Sequence, residues 1–150
     1  MSDFKRALKV FLKYEGGYSN HKNDPGGATN KGITQITYND YRQSHGARIR
    51  NVRDISDQEV ADIYEHRYWE ACGADKMAWP LNLVVCDAAI NCGVSRAVRW
   101  AEEAKGDIKK FNELRRQHYK NIIAKNSKLR VFAKGWENRV RDIERIVKEG

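Results

Sequence analysis

Several things are scarce in this sequence, and each scarcity excludes something. No apolar run approaches the ~18 residues that a membrane-spanning helix needs. The N-terminal apolar residues Phe4, Leu8, Val10, Phe11 and Leu12 are broken by Lys5, Arg6, Lys9 and Lys13. They form no signal-peptide core, so the expectation is cytoplasmic synthesis without an export signal. Cysteine occurs three times, at Cys72, Cys86 and Cys92, an odd number without Cys-x-x-Cys spacing. That argues against a disulfide framework or a zinc site and for buried reduced thiols. The four histidines, His21, His45, His66 and His118, show no metal-ligand spacing. No metal or organic cofactor is expected. Proline occurs twice; Pro80 marks a break between helical stretches. There is no repeat, no low-complexity tract and no long linker.

What is present suits one globular domain of 150 residues, long enough to bury a core unaided. Four Trp, seven Tyr and four Phe argue against disorder. The chain carries 28 Lys+Arg against 20 Asp+Glu, a net +8. The excess is confined to residues 105–150, which hold 14 basic and 6 acidic residues; residues 1–104 hold 14 of each. A basic excess calls for an anionic partner, either nucleic acid or a cell surface.

The periodicity is mostly helical. From about Asp3 to Glu15, apolar residues recur at i, i+3, i+4 and i+7 with Lys and Arg opposite, ending at Gly16-Gly17. Residues 16–35 hold five of the 11 glycines and read as a shaped loop. Asp24-Pro25-Gly26-Gly27 suits a tight turn. Short strands around Tyr18-Ser19 and Gly32-Ile33-Thr34 would complete a small hairpin. Further helices are expected from Thr37 to about Ser44, after a capping box at Ser56-Asp57-Gln58-Glu59, and over the apolar stretch Leu81 to Asn91. Another is capped by Ser95 and runs to about Ala104. The next starts at Asp107, with Ile108, Phe111, Leu114, His118 and Ile122 on its stripe. The last runs from about Lys128 to Lys148, with Leu129, Phe132, Trp136, Val140, Ile143 and Val147 on its stripe. Asp87, inside an apolar stretch, needs an Arg or backbone partner. The fold class is α+β, mostly α, with a small Gly-rich β-hairpin element after the first helix.

Between Asp3 and Asp40 only two acids occur, Glu15 and Asp24. Glu15 ends the first helix beside apolar neighbours, an environment that keeps a carboxyl protonated as a general acid requires. Asp24, in a wetter turn, would stay ionised. Two carboxyls in unlike surroundings are the working parts of glycosidic hydrolysis. The plainer reading is a solvated helix end and a turn former.

Three motifs then come together: Glu15-Gly16-Gly17-Tyr18, Asn23-Asp24-Pro25-Gly26-Gly27 and Thr29-Asn30-Lys31-Gly32-Ile33-Thr34. Together they resemble the signature of glycoside hydrolase family 108, the N-acetylmuramidases of phages and bacteria. Asp87–Gly93, Ala97–Trp100 and Gly135–Val140 resemble the segment that follows it in the family, a predicted peptidoglycan-binding region. The resemblance implies a single lysozyme-like domain over 1–150, with the catalytic signature in 1–78 and a helical half in 79–150. It implies cleavage of the β-1,4 bond between N-acetylmuramic acid and N-acetylglucosamine, with Glu15 as acid. The bare length is similar to that of a single-domain phage endolysin, made in the host cytoplasm and released to the periplasm by a holin-type partner. The spacing is also similar to T4-type phage lysozymes, whose pattern is Glu, eight residues, Asp, five residues, Thr. Asp24 matches that Asp, whereas Asn30 stands where Thr is expected and Thr29 falls one position early. Asp24 is thus the candidate for activating water, with Asn30, Thr29 or Thr34 positioning it. Tyr18, Gln35 and Asn91 are candidate substrate contacts. Lys109, Lys110, Arg115, Arg116, Lys120 and Lys125 form a candidate basic patch for an anionic wall or membrane surface. A monomer is expected, acting on peptidoglycan and not on nucleic acid. Two alternatives remain: a lytic transglycosylase on the same bond, and a basic nucleic-acid-binding helical domain.

Overall fold

The computed structural model describes residues 2–20 and 27–150. Backbone contacts group into two compact units, Met1–Arg67 and Tyr68–Gly150.

The first unit opens with α1, Asp3–Lys13. Ser2 caps it by accepting from the Lys5 N–H at 3.2 Å. Its apolar stripe buries Phe4, Ala7, Val10 and Phe11 while Lys5, Lys9 and Lys13 stay exposed. The helix stops two residues before the predicted end, leaving Tyr14 as its cap and Glu15 outside it. The hairpin differs from the expected pairing. Its strands are β1, Thr29–Asn30, and β2, Ile33–Thr34, antiparallel with Thr29 opposite Thr34 and Asn30 opposite Ile33. Ser19 joins only as an isolated bridge to Thr29, and Tyr18 takes no part. A two-residue turn needs strands immediately on either side of it, and Lys31-Gly32 supplies that turn. The expected turn at Asp24-Pro25-Gly26 lies outside the described residues.

Two helices complete this unit. In α2, Gln35–Ser44, the N-cap is Thr34, whose hydroxyl accepts from the Thr37 N–H. In α3, Asp57–Tyr64, the expected capping box is present in both directions. From there a π-helical turn, Glu65–Glu70, carries the chain on. A partly buried ionic cluster ties α2 to α3. Glu59 accepts from Tyr38 Oη at 2.7 Å, Arg50 at 2.7 Å and Arg42 at 3.2 Å. Burial alone would push the Glu59 carboxyl up. The Ser56 N–H, Tyr38 and Arg42 hydrogen bonds and the Arg50 charge outweigh it and hold the group down to about 2.

The second unit is built on α4, Leu81–Cys92, whose residues 82–89 are all buried. A helix apolar on most sides has to be surrounded, and α5, Val94–Ala104, and α6, Ile108–Lys125, pack against it. The start of α5 is Val94, with Gly93 at the cap position at φ 105°; Ser95 lies inside the first turn and is not the cap. Asp107 does cap α6, accepting from Lys110 N. The buried face of α6 is Phe111, Asn112, Arg115 and Tyr119, rotated from the predicted stripe, since Leu114 and His118 are only half-buried. Asp87 explains the rotation. Its carboxylate is fully buried and takes Arg115 at 2.8 Å and Arg139 at 2.8 Å, so a cation from α6 has to point inward. The predicted last helix is two elements. Ser127–Phe132 is 3₁₀, started by Asn126 accepting from Lys128 N, and α7 spans Ala133–Glu149. Phe132 is consequently 52% exposed instead of lying on a buried stripe. Trp136 stacks on Tyr119 with centroids 4.8 Å apart, which anchors α7 to α6. All three cysteines are buried free thiols. Among the described residues no helix is long and apolar enough to cross a membrane, and no His, Cys, Asp and Glu group is arranged to hold a metal.

Candidate active site

The site is organised by a turn. Lys31 and Gly32 both have positive φ, 53° and 81°, which is the type I′ geometry of a two-residue hairpin. Such turns favour Asn-Gly, because a Cβ in the left-handed region meets its own carbonyl. Lys31 occupies the first position all the same, and three contacts hold it there. Its N–H donates to Gly16 O at 3.0 Å. Its carbonyl accepts from Tyr64 Oη at 2.8 Å. Its ammonium meets Asp57 at 2.6 Å, an exposed pair of small energetic value.

The first of these contacts fixes the chain one residue past Glu15. Paired Ser19–Thr29 backbone hydrogen bonds of 2.8 Å extend the same alignment. Glu15 is half-buried and lies against the turn. A Cβ placed on Gly32 would stand 2.7 Å from Glu15 Oε2, 2.8 Å from its Cδ and 2.5 Å from Tyr64 Oη. Only glycine permits the carboxyl and the tyrosine hydroxyl to share that side of the backbone. By contrast, among the described residues a Cβ at Gly16 or Gly17 would meet nothing within 4 Å, which leaves the backbone next to the carboxyl uncrowded.

The other predicted residues separate into groups. Asp24 lies outside the described residues. Asn30 is buried, and its amide nitrogen donates to Val52 O and Arg53 O, both at 3.2 Å. It ties β1 to the 52–54 segment. Thr34 caps α2, and Thr29 faces it across the hairpin. The Gln35 amide is spent on structure: it donates to Asn39 and to Arg50 O at 2.8 Å and accepts from Val52 N at 2.7 Å. A substrate contact through this amide would have to displace these bonds. Tyr18 is 40% exposed and has an accessible ring.

Asn91 belongs to the second unit. Its side-chain oxygen accepts from Tyr119 Oη, which in turn accepts from Arg115 Nε at 2.8 Å. The basic patch is corrected at two positions. Arg115 is 0% exposed and neutralises Asp87, so it presents no charge to any surface. Arg116 is held by Glu137 at 2.9 Å and Glu144 at 2.7 Å, which cancels its charge. Lys109, Lys110, Lys120 and Lys125 are exposed. Lys120 also lines a groove of about 390 Å³ with Tyr119, Ile123, Ala133 and Arg141. Sequence reasoning did not single out Tyr64 or Lys31. Tyr64 reads as one more apolar position on the α3 stripe, and Lys31 carries no periodic signal; only the folded turn gives them a role.

The glycosyl hydrolase 108 family model matches residues 8–93, which contain Glu15, the hairpin and Tyr64. No curated protein matches the chain. The solved structure of SagA from Brucella abortus is similar over 97% of this chain and 94% of its own, at 26% identity with a TM-score of 0.68. That likeness covers both units and carries the expected lysozyme-like, mostly helical α+β fold. With a carboxyl seated on a glycine turn inside the matched segment, the chain belongs to glycosyl hydrolase family 108 and is a peptidoglycan hydrolase of the lysozyme-like kind.

Proposed function

We propose that the protein is an N-acetylmuramidase that cleaves the β-1,4 bond between N-acetylmuramic acid and N-acetylglucosamine, with Glu15 as general acid. The observation that carries this reading is the seat of Glu15, a half-buried carboxyl fixed over Gly32 beside the uncrowded Gly16-Gly17 backbone. Glu15 gives its proton to the leaving glycosidic oxygen. In the same step Asp24 takes a proton from a water on the opposite face, and that water bonds to the anomeric carbon as the glycosidic bond breaks, a single displacement with inversion. That route needs the two carboxyls roughly 6.5–9.5 Å apart, whereas about 5–5.5 Å would mean a covalent retaining route. Tyr18 offers a ring face to a sugar. The exposed lysines of α6 draw the enzyme toward an anionic wall, and neutralising Lys109, Lys110, Lys120 and Lys125 together weakens its salt-sensitive retention on purified sacculi. The biological setting proposed is phage-directed lysis from the host cytoplasm, with a holin giving access to the wall.

The test is zymography on purified peptidoglycan with wild type and Glu15→Gln, which keeps the shape and removes the proton. The variant should lose activity by at least about a hundredfold. Mass analysis of the products separates the neighbouring chemistry. Reducing muramic ends mean hydrolysis, and anhydro-muramic ends mean a lytic transglycosylase. Wall clearing by Glu15→Gln at near the wild-type rate would falsify the assignment of the acid.

A further inference from the structure

We propose that Tyr64 is a positioning residue for Glu15, fixing its carboxyl with a hydroxyl that offers it lone pairs and no proton. This deepens the reading of Glu15 as the acid and rests on it. Tyr64 comes from the last turn of α3 and is only 2% exposed, so the ring has no freedom to swing. Its hydroxyl donates to Lys31 O at 2.8 Å. It also stands 2.5 Å from the vacant Cβ position of Gly32, the same point that lies 2.7 Å from Glu15 Oε2. The hydroxyl and the carboxyl therefore share one side of the turn.

A phenol has a single proton. With that proton given to the Lys31 carbonyl, the oxygen keeps acceptor capacity alone toward its neighbours. A neutral carboxylic acid can donate to such an oxygen; a carboxylate cannot. The arrangement thus favours the protonated form of Glu15, the form a general acid needs before it acts. The same hydrogen bond holds Lys31 in its left-handed conformation, so the seat of the carboxyl and the acceptor beside it are fixed by one group. Charged and titratable groups flanking Glu15 and Tyr64 along the chain are Lys13 at the end of α1, Asp62 in α3, and Glu65, His66 and Arg67 after Tyr64, with Lys31 in the turn and Asp24 outside the described residues. Lys13 and Glu65 are exposed, and the Lys31 ammonium is held on Asp57. None of them changes in the test.

The experiment compares Tyr64→Phe with wild type and Glu15→Gln in the full chain, on soluble uncrosslinked glycan strands. Tyr64→Phe should lower kcat about tenfold or more with KM unchanged. The alkaline limb of its kcat–pH profile should move about 0.5–1 unit toward lower pH, the size of one lost hydrogen bond. A wild-type kcat and profile in Tyr64→Phe, beside an inactive Glu15→Gln, overturns this inference and leaves the proposed function standing. An active Glu15→Gln overturns the proposed function itself. Should Tyr64→Phe fold poorly, Lys31→Asn is added to supply the Asn-Gly pair that this turn favours. A double variant that regains both thermal stability and wild-type kcat shows that the hydroxyl only props the turn, which overturns the inference. Regained stability with kcat still low and the pH limb still shifted supports it.

Discussion

Replacing Gly32 by alanine adds one methyl group to a point 2.7 Å from Glu15 Oε2 and 2.5 Å from Tyr64 Oη. Two costs follow. The first is backbone strain, since φ is 81° and an L side chain in that region costs roughly 1–2 kcal/mol. The second is overlap: both oxygens lie closer than a real Cβ tolerates, and the Tyr64 ring is buried and cannot retreat. Either the turn shifts or the Glu15 carboxyl is pushed off its seat, adding about 1–3 kcal/mol. The combined loss of about 2–5 kcal/mol corresponds to a fall in Tm of roughly 5–15 °C for a chain of this size. Turnover should drop about a hundredfold, because a displacement near 1 Å at a reacting group costs that much. Gly46→Ala is the matched control. Its φ is 68°, and an added Cβ there meets nothing within 4 Å, so it carries the strain without the overlap. It should lower Tm by a few degrees and leave turnover unchanged. The assay is a thermal melt together with initial rates on purified peptidoglycan. Wild-type turnover in Gly32→Ala, or an equal loss in Gly46→Ala, refutes the seat assigned to Glu15.

Two further outcomes concern stability. The Glu59 carboxyl is held at about 2 against an ordinary 4.5. A folded value below the unfolded one means that the stabilisation is complete above the ordinary value and is lost as pH falls toward about 2. After allowance for solvent screening it is worth about 2 kcal/mol. Glu59→Gln should therefore lower Tm at neutral pH and flatten the acid side of the Tm–pH curve, and parallel curves for the two proteins would contradict this. Asp87→Asn removes the counter-charge of two guanidinium groups, one of them fully buried. A loss of about 3–5 kcal/mol is expected, read as a lower urea midpoint, and an unchanged midpoint would mean that the pair contributes nothing.

Much of the local structure was legible because its causes are local. The Ser56–Glu59 capping box, the Asp107 cap and the stop of α1 near Gly16-Gly17 each depend on residues a few positions apart, and each formed near where it was expected. The largely apolar α4 stretch reads as a buried helix for the same kind of reason. The need of Asp87 for a cationic partner was also legible, since a carboxylate in an apolar run has no other stable state. Which arginines would answer it was not. Arg115 and Arg139 stand 28 and 52 residues away, and on a linear chain Arg115 reads as one of a basic patch and Arg139 as part of the Gly135–Val140 motif.

The candidate site divides in the same way. Glu15 is marked in the sequence by the glycines after it and by a motif spread over twenty residues, because a carboxyl at a helix end beside a glycine loop is a local arrangement. Its seat is not local. Lys31 in a left-handed turn, Gly32 with no room for a methyl group and Tyr64 reaching back 33 residues to the Lys31 carbonyl meet only when α3 folds onto the hairpin. Gln35 and Asn30 show the converse, polar side chains that the sequence offers to a substrate and to the attacking water respectively and that folding spends on neighbouring backbone. The sequence by itself determined the helices, the glycine turn and the carboxyl at its edge, since propensity, capping and left-handed backbone act over a few residues. Tertiary structure alone decided which polar groups are spent and which remain, since a hydrogen bond goes to whichever partner folding brings within reach.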